Sequence, residues 1–299
     1  MSQLTRRDFI KGSAAATGVL TTAQIVPASE SLSTKRLATD WVTLGRSGVK
    51  VTRMAFGTGS QGGSVQRGLG QEKFTKLVRH AYDRGIRFFE SADSYDGMHE
   101  MLAEALKGIP RESYKLMTKL RWYASKDAKA DIDRFRKELK TDYFDILLLH
   151  CLSTDDWPEK LKHFTDALEE AKQNNIILAH GASCHGLKPL KAMPGNDWLD
   201  VALLRINHDG THMDGPEGKW GEQSNRDEAL AAIKKIHAQK TGVIGMKLIG
   251  NGDFTDPKRR DASIKCVMNL DCVDAVTIGH KSTAEIDESI KRIETHLNA

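Results

Sequence analysis

Cysteine is scarce. Only Cys151, Cys184, Cys266 and Cys272 occur in 299 residues, and no two stand at a CxxC or zinc-ligating spacing. That argues against a disulfide-built scaffold and against a thiolate metal site, and a chain of this length does not need staples. The four read as mostly buried thiols, with Cys266 and Cys272 the only close pair. Charge of one sign is also lacking, since 44 Lys and Arg face 40 Asp and Glu for a formal net charge of +4. Such a balance argues against nucleic acid or an anionic membrane as a partner. Beyond residue 30 no run is long and apolar enough to span a bilayer. No linker interrupts the chain after about residue 40.

One stretch differs in composition. Thr5-Arg6-Arg7-Asp8-Phe9-Ile10-Lys11 precedes a mildly apolar, Ala- and Gly-rich run to about Val26, and Val26-Pro27-Ala28 offers residues that a signal peptidase reads. This resembles a twin-arginine export signal over residues 1–28, followed by a linker over 29–40. Its loss removes Arg6, Arg7, Lys11 and Asp8 and leaves a formal charge of +2. The expectation is a protein exported by the twin-arginine machinery to the periplasm, with no stable membrane insertion once processed. Folded export also lets a cofactor be loaded in the cytoplasm.

The remainder alternates. WVTLGRSGVKVTR (41–53) reads as a β-hairpin around a Gly-flanked turn. Eight short apolar runs follow: 54–57, 86–90, 114–119, 144–150, 175–181, 199–207, 242–247 and 273–279. Between them helical periodicity appears at Phe74, Leu77, Val78 and Ala81, at Ile132, Phe135 and Leu139, and at Phe164, Ala167, Leu168 and Ala171. It returns at Ile233 and Ile236, and at Ile286, Ile290 and Ile293. Eight strand–helix units favour an α/β fold closed as a (β/α)8 barrel of the TIM type, one domain over 41–299 with the hairpin at its start. Gly57-Thr58-Gly59-Ser60-Gln61-Gly62 matches GxGxxG. The acidic residue that a dinucleotide fold requires about twenty positions on is missing, because Glu90 lies farther away. The glycines therefore read as the loop after the first barrel strand.

Chemistry collects where the runs stop. IRFFE ends at Glu90 with Tyr95 in the next turn, KLMTK ends at Lys119, and DILLLH ends at His150. Catalytic groups of barrel enzymes sit on that face. Carbonyl reduction needs a hydride on carbon and a proton on oxygen. A phenol with an ordinary pKa near ~10 serves poorly at neutral pH, and an adjacent ammonium favours its anion. A carboxylate keeps the lysine charged, and an imidazole donates to the substrate oxygen.

These segments resemble the aldo/keto reductase superfamily over nearly all of residues 41–298. FFESADSYDG is similar to that family's FDTAxxYG segment, with Tyr95 at the tyrosine and Glu90 at the aspartate. MTKL places Lys119 at the lysine and LLLHCL places His150 at the histidine. GASCHG, with Ser183, is similar to the GVSN segment that touches the nicotinamide carboxamide. GVIGMKLIGNG resembles the MKPLGGG loop, and TIGHKSTAEIDESI the closing IPGxxSxxxLxEN segment at the adenosine end. The resemblance implies NAD(P)-dependent interconversion of a carbonyl and an alcohol on a small polar substrate such as a sugar, polyol or aldehyde. It implies cofactor contacts from Gly57, Thr58, Gly59, Ser183, Asn207, Lys247, Gly250, Gly252, Gly279, Lys281, Ser282, Glu288 and Ser289. Glu285 stands where the family often has a base for the 2′-phosphate, with Lys281 and Ser282 alongside, so NADP and NAD both remain open. Glu90 is one methylene longer than the aspartate, and Asp93 on the same turn competes for its role.

Two other readings stand beside this one. In RINHDGTHMD, His208 and His212 lie four apart among Asp209 and Asp214. On a helix that spacing would suit a divalent metal and a hydrolase or lyase, but Gly210 and Gly215 argue for a loop, so no metal ligand is assigned. There Arg205 and Asn207 would face the cofactor or substrate, with His180 and His185 adding polar groups to the same mouth. A catalytically silent nucleotide-binding barrel is the third reading.

Overall fold

Eight parallel strands, joined in chain order, close into one barrel in a computed structural model that describes residues 35–299 apart from Trp220. The signal segment at 1–28 and the first part of the linker, to residue 34, lie outside the described residues. Strands β1 (Trp41–Thr43) and β2 (Lys50–Thr52) pair antiparallel as the hairpin. The barrel strands are β3 (Met54–Gly57), β4 (Phe88–Glu90), β5 (Lys115–Leu120), β6 (Phe144–Leu152), β7 (Ile177–Cys184), β8 (Val201–Arg205), β9 (Gly242–Met246) and β10 (Ala275–Gly279). β10 pairs with β3 to close the ring.

The strands read as continuous apolar runs because both of their faces are buried. In β6, Ile146 and Leu148 join Phe88, Met117, Val201 and Ile244 inside the barrel. Leu147 and Leu149 pack instead into the layer shared with the helices. Helices Gly70–Asp83, Ala128–Glu138, Lys162–Gln173, Arg226–Ala238 and Thr283–Leu297 bury the residues picked out by their 3.6-residue spacing. Burying a side chain of the size of Phe88 contributes about 1.5–3 kcal/mol.

The hairpin closes one end. Leu44, Val49 and Val51 belong to the interior cluster, and Gly45 bridges Thr241 just before β9 begins. Gly242 admits this plug, since a Cβ there would lie 2.6 Å from Leu44 Cβ. The open mouth therefore lies at the C-terminal strand ends.

Two strand limits move from the sequence expectation. The run that stops at His150 continues as β6 to Leu152, through a register shift between Leu149 and Leu152 with Cys151 at a left-handed φ of 57°. β7 likewise runs past Gly181 to Cys184 and pairs with that extension. Such a bulge bends a strand and re-aims its side chains, a common device beside active sites. Periodicity could not reveal it, because a bulge breaks the period.

Candidate active site

β4 and β5 bring the central pair together. Their register sets Glu90 opposite Met117, and Lys119 lies two residues farther along β5 on the same face. The Lys119 ammonium donates to the Glu90 carboxylate, to the Ser91 carbonyl at 2.7 Å and to the Tyr95 hydroxyl at 3.4 Å. Lys119 is 1% and Glu90 4% exposed, so an unpaired charge at either position would be costly. The extra methylene of Glu90 has its place: Thr277 Oγ1 donates to Glu90 Oε2 at 3.3 Å, and Gly57 leaves the room. A Cβ at Gly57 would lie 3.1 Å from that oxygen and 2.7 Å from Thr277 Oγ1. Asp93 does not compete, because its carboxylate turns to Arg134 at 3.0 Å and Arg121 at 3.8 Å.

Tyr95 and His150 complete the group. Their rings meet edge to face with centroids 5.7 Å apart. Ser94 Oγ lies 2.9 Å from His150 Nδ1. Burial, reinforced by Lys119, His185, Lys247 and Arg121, holds His150 well below its usual pKa. The ring is thus neutral, and a Ser94 hydroxyl that donates to Nδ1 leaves the ring proton on Nε2. The Tyr95 phenol is pushed well above its ordinary value by burial and then by Glu90. This corrects the expectation that the ammonium would favour the phenolate. Lys119 is matched by Glu90, whose charge opposes phenol ionisation, and desolvation then outweighs the remaining attraction.

Beside these groups lies a cavity of about 540 Å³, within the range of ligand sites. Gly57, Gly59, Gly252 and Gly279 form bare wall, and Lys247, Lys281, Glu288 and Ser289 line it with Glu90 and Tyr95. The 247–252 turn carries left-handed φ at Lys247, Gly250, Asn251 and Gly252, and Lys247 Nζ donates to Asn251 Oδ1 at 2.7 Å. The turn is closed on itself, with the N–H groups of Gly250 and Gly252 donating to the carbonyls of Lys247 and Ile249, each at 2.9 Å. Burial and Arg205 bring the Lys247 pKa down to about 8.

The remaining expected contacts stand behind the wall. Thr58 is buried and its hydroxyl donates to Ser91 Oγ at 3.3 Å. Ser183 Oγ accepts from the Cys151 N–H at 2.9 Å, bracing the bulge beside His150. Asn207 donates to the carbonyls of Thr211 and Lys247 and accepts from the Gly210 N–H, which ties the loop after β8 to the loop after β9. Gly250 packs under Phe254. Ser282 caps helix Thr283–Leu297 by accepting from the Glu285 N–H.

Some residues escaped the sequence reading. Arg260 and Arg292 line the same cavity and both pair with Glu288 at 2.9 and 2.8 Å. His280 is buried, its Nε2 lies 3.0 Å from Ser289 Oγ, and burial brings its pKa down to about 3. Neither arginine belongs to a motif, so only helix packing could bring it there. Of the two histidines expected beside Ser183 at the mouth, His185 has its Nε2 3.2 Å from Cys151 Sγ, whereas His180 turns to Glu169 at 2.8 Å and stacks on Trp198. The segment carrying His208 and His212 is irregular and not helical, with His212 at φ 57° and paired to Asp253 at 2.6 Å. Among the described residues no three His, Cys, Asp or Glu side chains converge as a metal site. All four cysteines are free thiols.

Comparison with known proteins agrees with this geometry. The aldo/keto reductase family matches residues 53–296, and the twin-arginine translocation signal sequence matches residues 3–23. The chain belongs to the aldo/keto reductase family. It is 31% identical over 140 residues to L-galactose dehydrogenase of Arabidopsis thaliana, 44% of each chain. To methylglyoxal reductase DkgB of Escherichia coli O157:H7 it is 33% identical over 110 residues, 36% of this chain and 40% of that one. The chain spans about half the length or less of the curated relatives it matches. Among solved structures, aldo-keto reductase AKR11C1 of Bacillus halodurans in its holo form superposes with a TM-score of 0.66 at 19% identity, covering 85% of this chain and 90% of that one. An aldo-keto reductase of Klebsiella pneumoniae in complex with NADPH gives a TM-score of 0.62 at 15% identity, with the same coverages. At such identities the likeness is one of fold.

Proposed function

We propose that this chain is an exported NAD(P)-dependent oxidoreductase that interconverts a carbonyl and an alcohol on a small polar substrate, a sugar, polyol or aldehyde. The observation that carries the reading is the Tyr95 hydroxyl 3.4 Å from Lys119 Nζ, backed by Glu90 and flanked by His150, at the edge of a glycine-walled cavity. Gly57, Gly279 and the 247–252 turn would hold the dinucleotide, and Lys281, Arg260 and Arg292 would face its adenosine end. The glycine wall fits such a group, because Gly57, Gly59, Gly252 and Gly279 bring backbone close to the cavity without side chains. When bound, the nicotinamide supplies or takes the hydride.

The residues of the chain handle the proton. Tyr95 is neutral and donates its hydroxyl proton to the carbonyl oxygen as charge builds there. Lys119 stabilises the resulting phenolate, and Glu90 keeps that lysine charged in a buried site. His150 donates through Nε2 to the same oxygen and orients the substrate. In the oxidative direction each role reverses.

The twin-arginine match supports export in a folded state, and we place the mature protein in the periplasm with residues 1–28 removed, 29–40 as linker and 41–299 as the barrel. A reductase outside the cytoplasm needs its nucleotide loaded beforehand. Protein purified from the exported fraction should therefore carry a nicotinamide nucleotide through gel filtration, identified by absorbance and mass. Protein that arrives empty and fails to bind added NADPH or NADH would end the oxidoreductase reading.

A further inference from the structure

The glycines of the loop after β3 are glycines for different reasons. Gly62 and Gly63 have left-handed φ of 65° and 83°, which glycine adopts without steric cost. Gly59 lies outside that region, so its φ does not call for glycine. Space does. A Cβ on Gly59 would press on the Tyr95 hydroxyl and lie 2.6 Å from Cζ and 2.8 Å from Cε2, where carbon contacts prefer about 3.5–4.0 Å. Gly63 flanks the other end of the side chain, with a Cβ there 2.9 Å from Tyr95 Cβ.

Neither partner yields easily. Thr58 N–H donates to the Glu90 carbonyl at 3.1 Å and Gly62 N–H to the Gly59 carbonyl at 3.1 Å, which holds the loop on β4. The Tyr95 N–H donates to Ala92 at 3.0 Å, and the ring has His150 edge-on and the Lys119 ammonium 4.9 Å from its centroid. The phenol therefore lies in a socket whose floor is the bare Cα of Gly59.

We infer that Gly59 is a positioning residue for proton transfer, its missing side chain setting where the Tyr95 hydroxyl sits relative to Lys119. The inference rests on the reading of Tyr95 as proton donor. It gives Gly59 a role distinct from touching the cofactor. A methyl group there displaces the hydroxyl on the order of 1 Å, and an offset of that size costs about 10²-fold in rate.

The test uses the full mature chain with NADPH and 4-nitrobenzaldehyde as the probe aldehyde. Gly59→Ala lowers kcat about 10²-fold while KM for the aldehyde and the Kd for NADPH stay at wild-type values. A weakened NADPH Kd with unchanged kcat makes Gly59 a cofactor contact and overturns the inference. A thermal-denaturation cycle decides the contact even where a variant is poorly active. Gly59→Ala lowers Tm in the wild-type background and leaves it unchanged beside Tyr95→Ala, where the ring is gone; equal losses in both backgrounds overturn the socket. Tyr95→Phe separates the two layers. Wild-type turnover in that variant ends the proton-donor reading, whereas its loss together with a fully active Gly59→Ala ends only the role of Gly59.

Discussion

The two ends of the barrel both bury charge, and they treat it in opposite ways. At the closed end, Asp145 near the start of β6 is fully buried and accepts from Arg111 at 2.7 Å, Lys115 at 2.9 Å and the Leu116 N–H at 2.9 Å. Asp200, just before β8, takes Lys172 and the His180 N–H, and Asp274, just before β10, takes the Val243 N–H and His237. Each carboxylate staples a strand start to its neighbour. At the mouth the groups are drawn together with fewer partners: Tyr95 is raised, His150 is lowered, His185 is brought to about 3 and Cys151 is pushed up to about 11, each chiefly by burial. Satisfied charge holds a fold together, whereas shifted charge is what chemistry needs. Conventional barrel enzymes keep stability at one face and catalysis at the other, and this chain divides its ionisable residues along that line.

The comparison can be broken most forcefully at the phenol. Tyr95→Phe removes the proton relay and little volume, so turnover of a probe aldehyde falls by about 10²–10⁴-fold while nucleotide binding and Tm hold. Near-wild-type turnover would take Tyr95 out of the mechanism. Asp145→Ala is the mirror experiment. It strips a buried carboxylate from two cations and should cost about 3–5 kcal/mol in denaturant unfolding, with kcat of the folded fraction unchanged. A loss of kcat without loss of stability would erase the distinction between the ends.

The smallest effect is a pH slope. An unfolded histidine takes its proton near ~6.5, but folded His280 waits until about 3. Between those values the unfolded state binds more protons, so stability falls as pH is lowered, by up to about 1.4 kcal/mol per unit from this residue. His150 and His185 act in the same direction. Asp214, raised to about 6 by burial, opposes them between about 4 and 6, because there the folded state holds the extra proton. Tm measured from pH 7 to 4 should therefore decline less steeply in His280→Gln and more steeply in Asp214→Asn. A flat profile in the parent protein would contradict the assigned burial.

Much of the site was legible in the chain because buried strands advertise themselves. Three apolar runs that stop at or near Glu90, Lys119 and His150 mark the mouth in the sequence, and Tyr95 follows in the next turn. Less could be read where the answer lay between strands. Asp93 competes with Glu90 by its place on the same turn, and the β4–β5 register with the pull of Arg134 on Asp93 decides for Glu90. The His208–His212 spacing carried meaning only on a helix, and the backbone there is a loop.

The sequence by itself determined the barrel, the hairpin at its start and the four groups at its mouth, since hydrophobic period and strand ends are local properties of the chain. The tertiary structure alone decided the protonation of Tyr95, the partner of Lys119, the arrival of Arg260 and Arg292 at the cavity, and the reason residue 59 is glycine. Each of those depends on burial or on close approach between residues 24 or more positions apart in the chain, as Lys119 with Tyr95 and Glu90, Arg260 with Glu288 and Gly59 with Tyr95 show. Spacing along a chain does not encode desolvation, and it does not reveal which side chain will lie against a bare Cα.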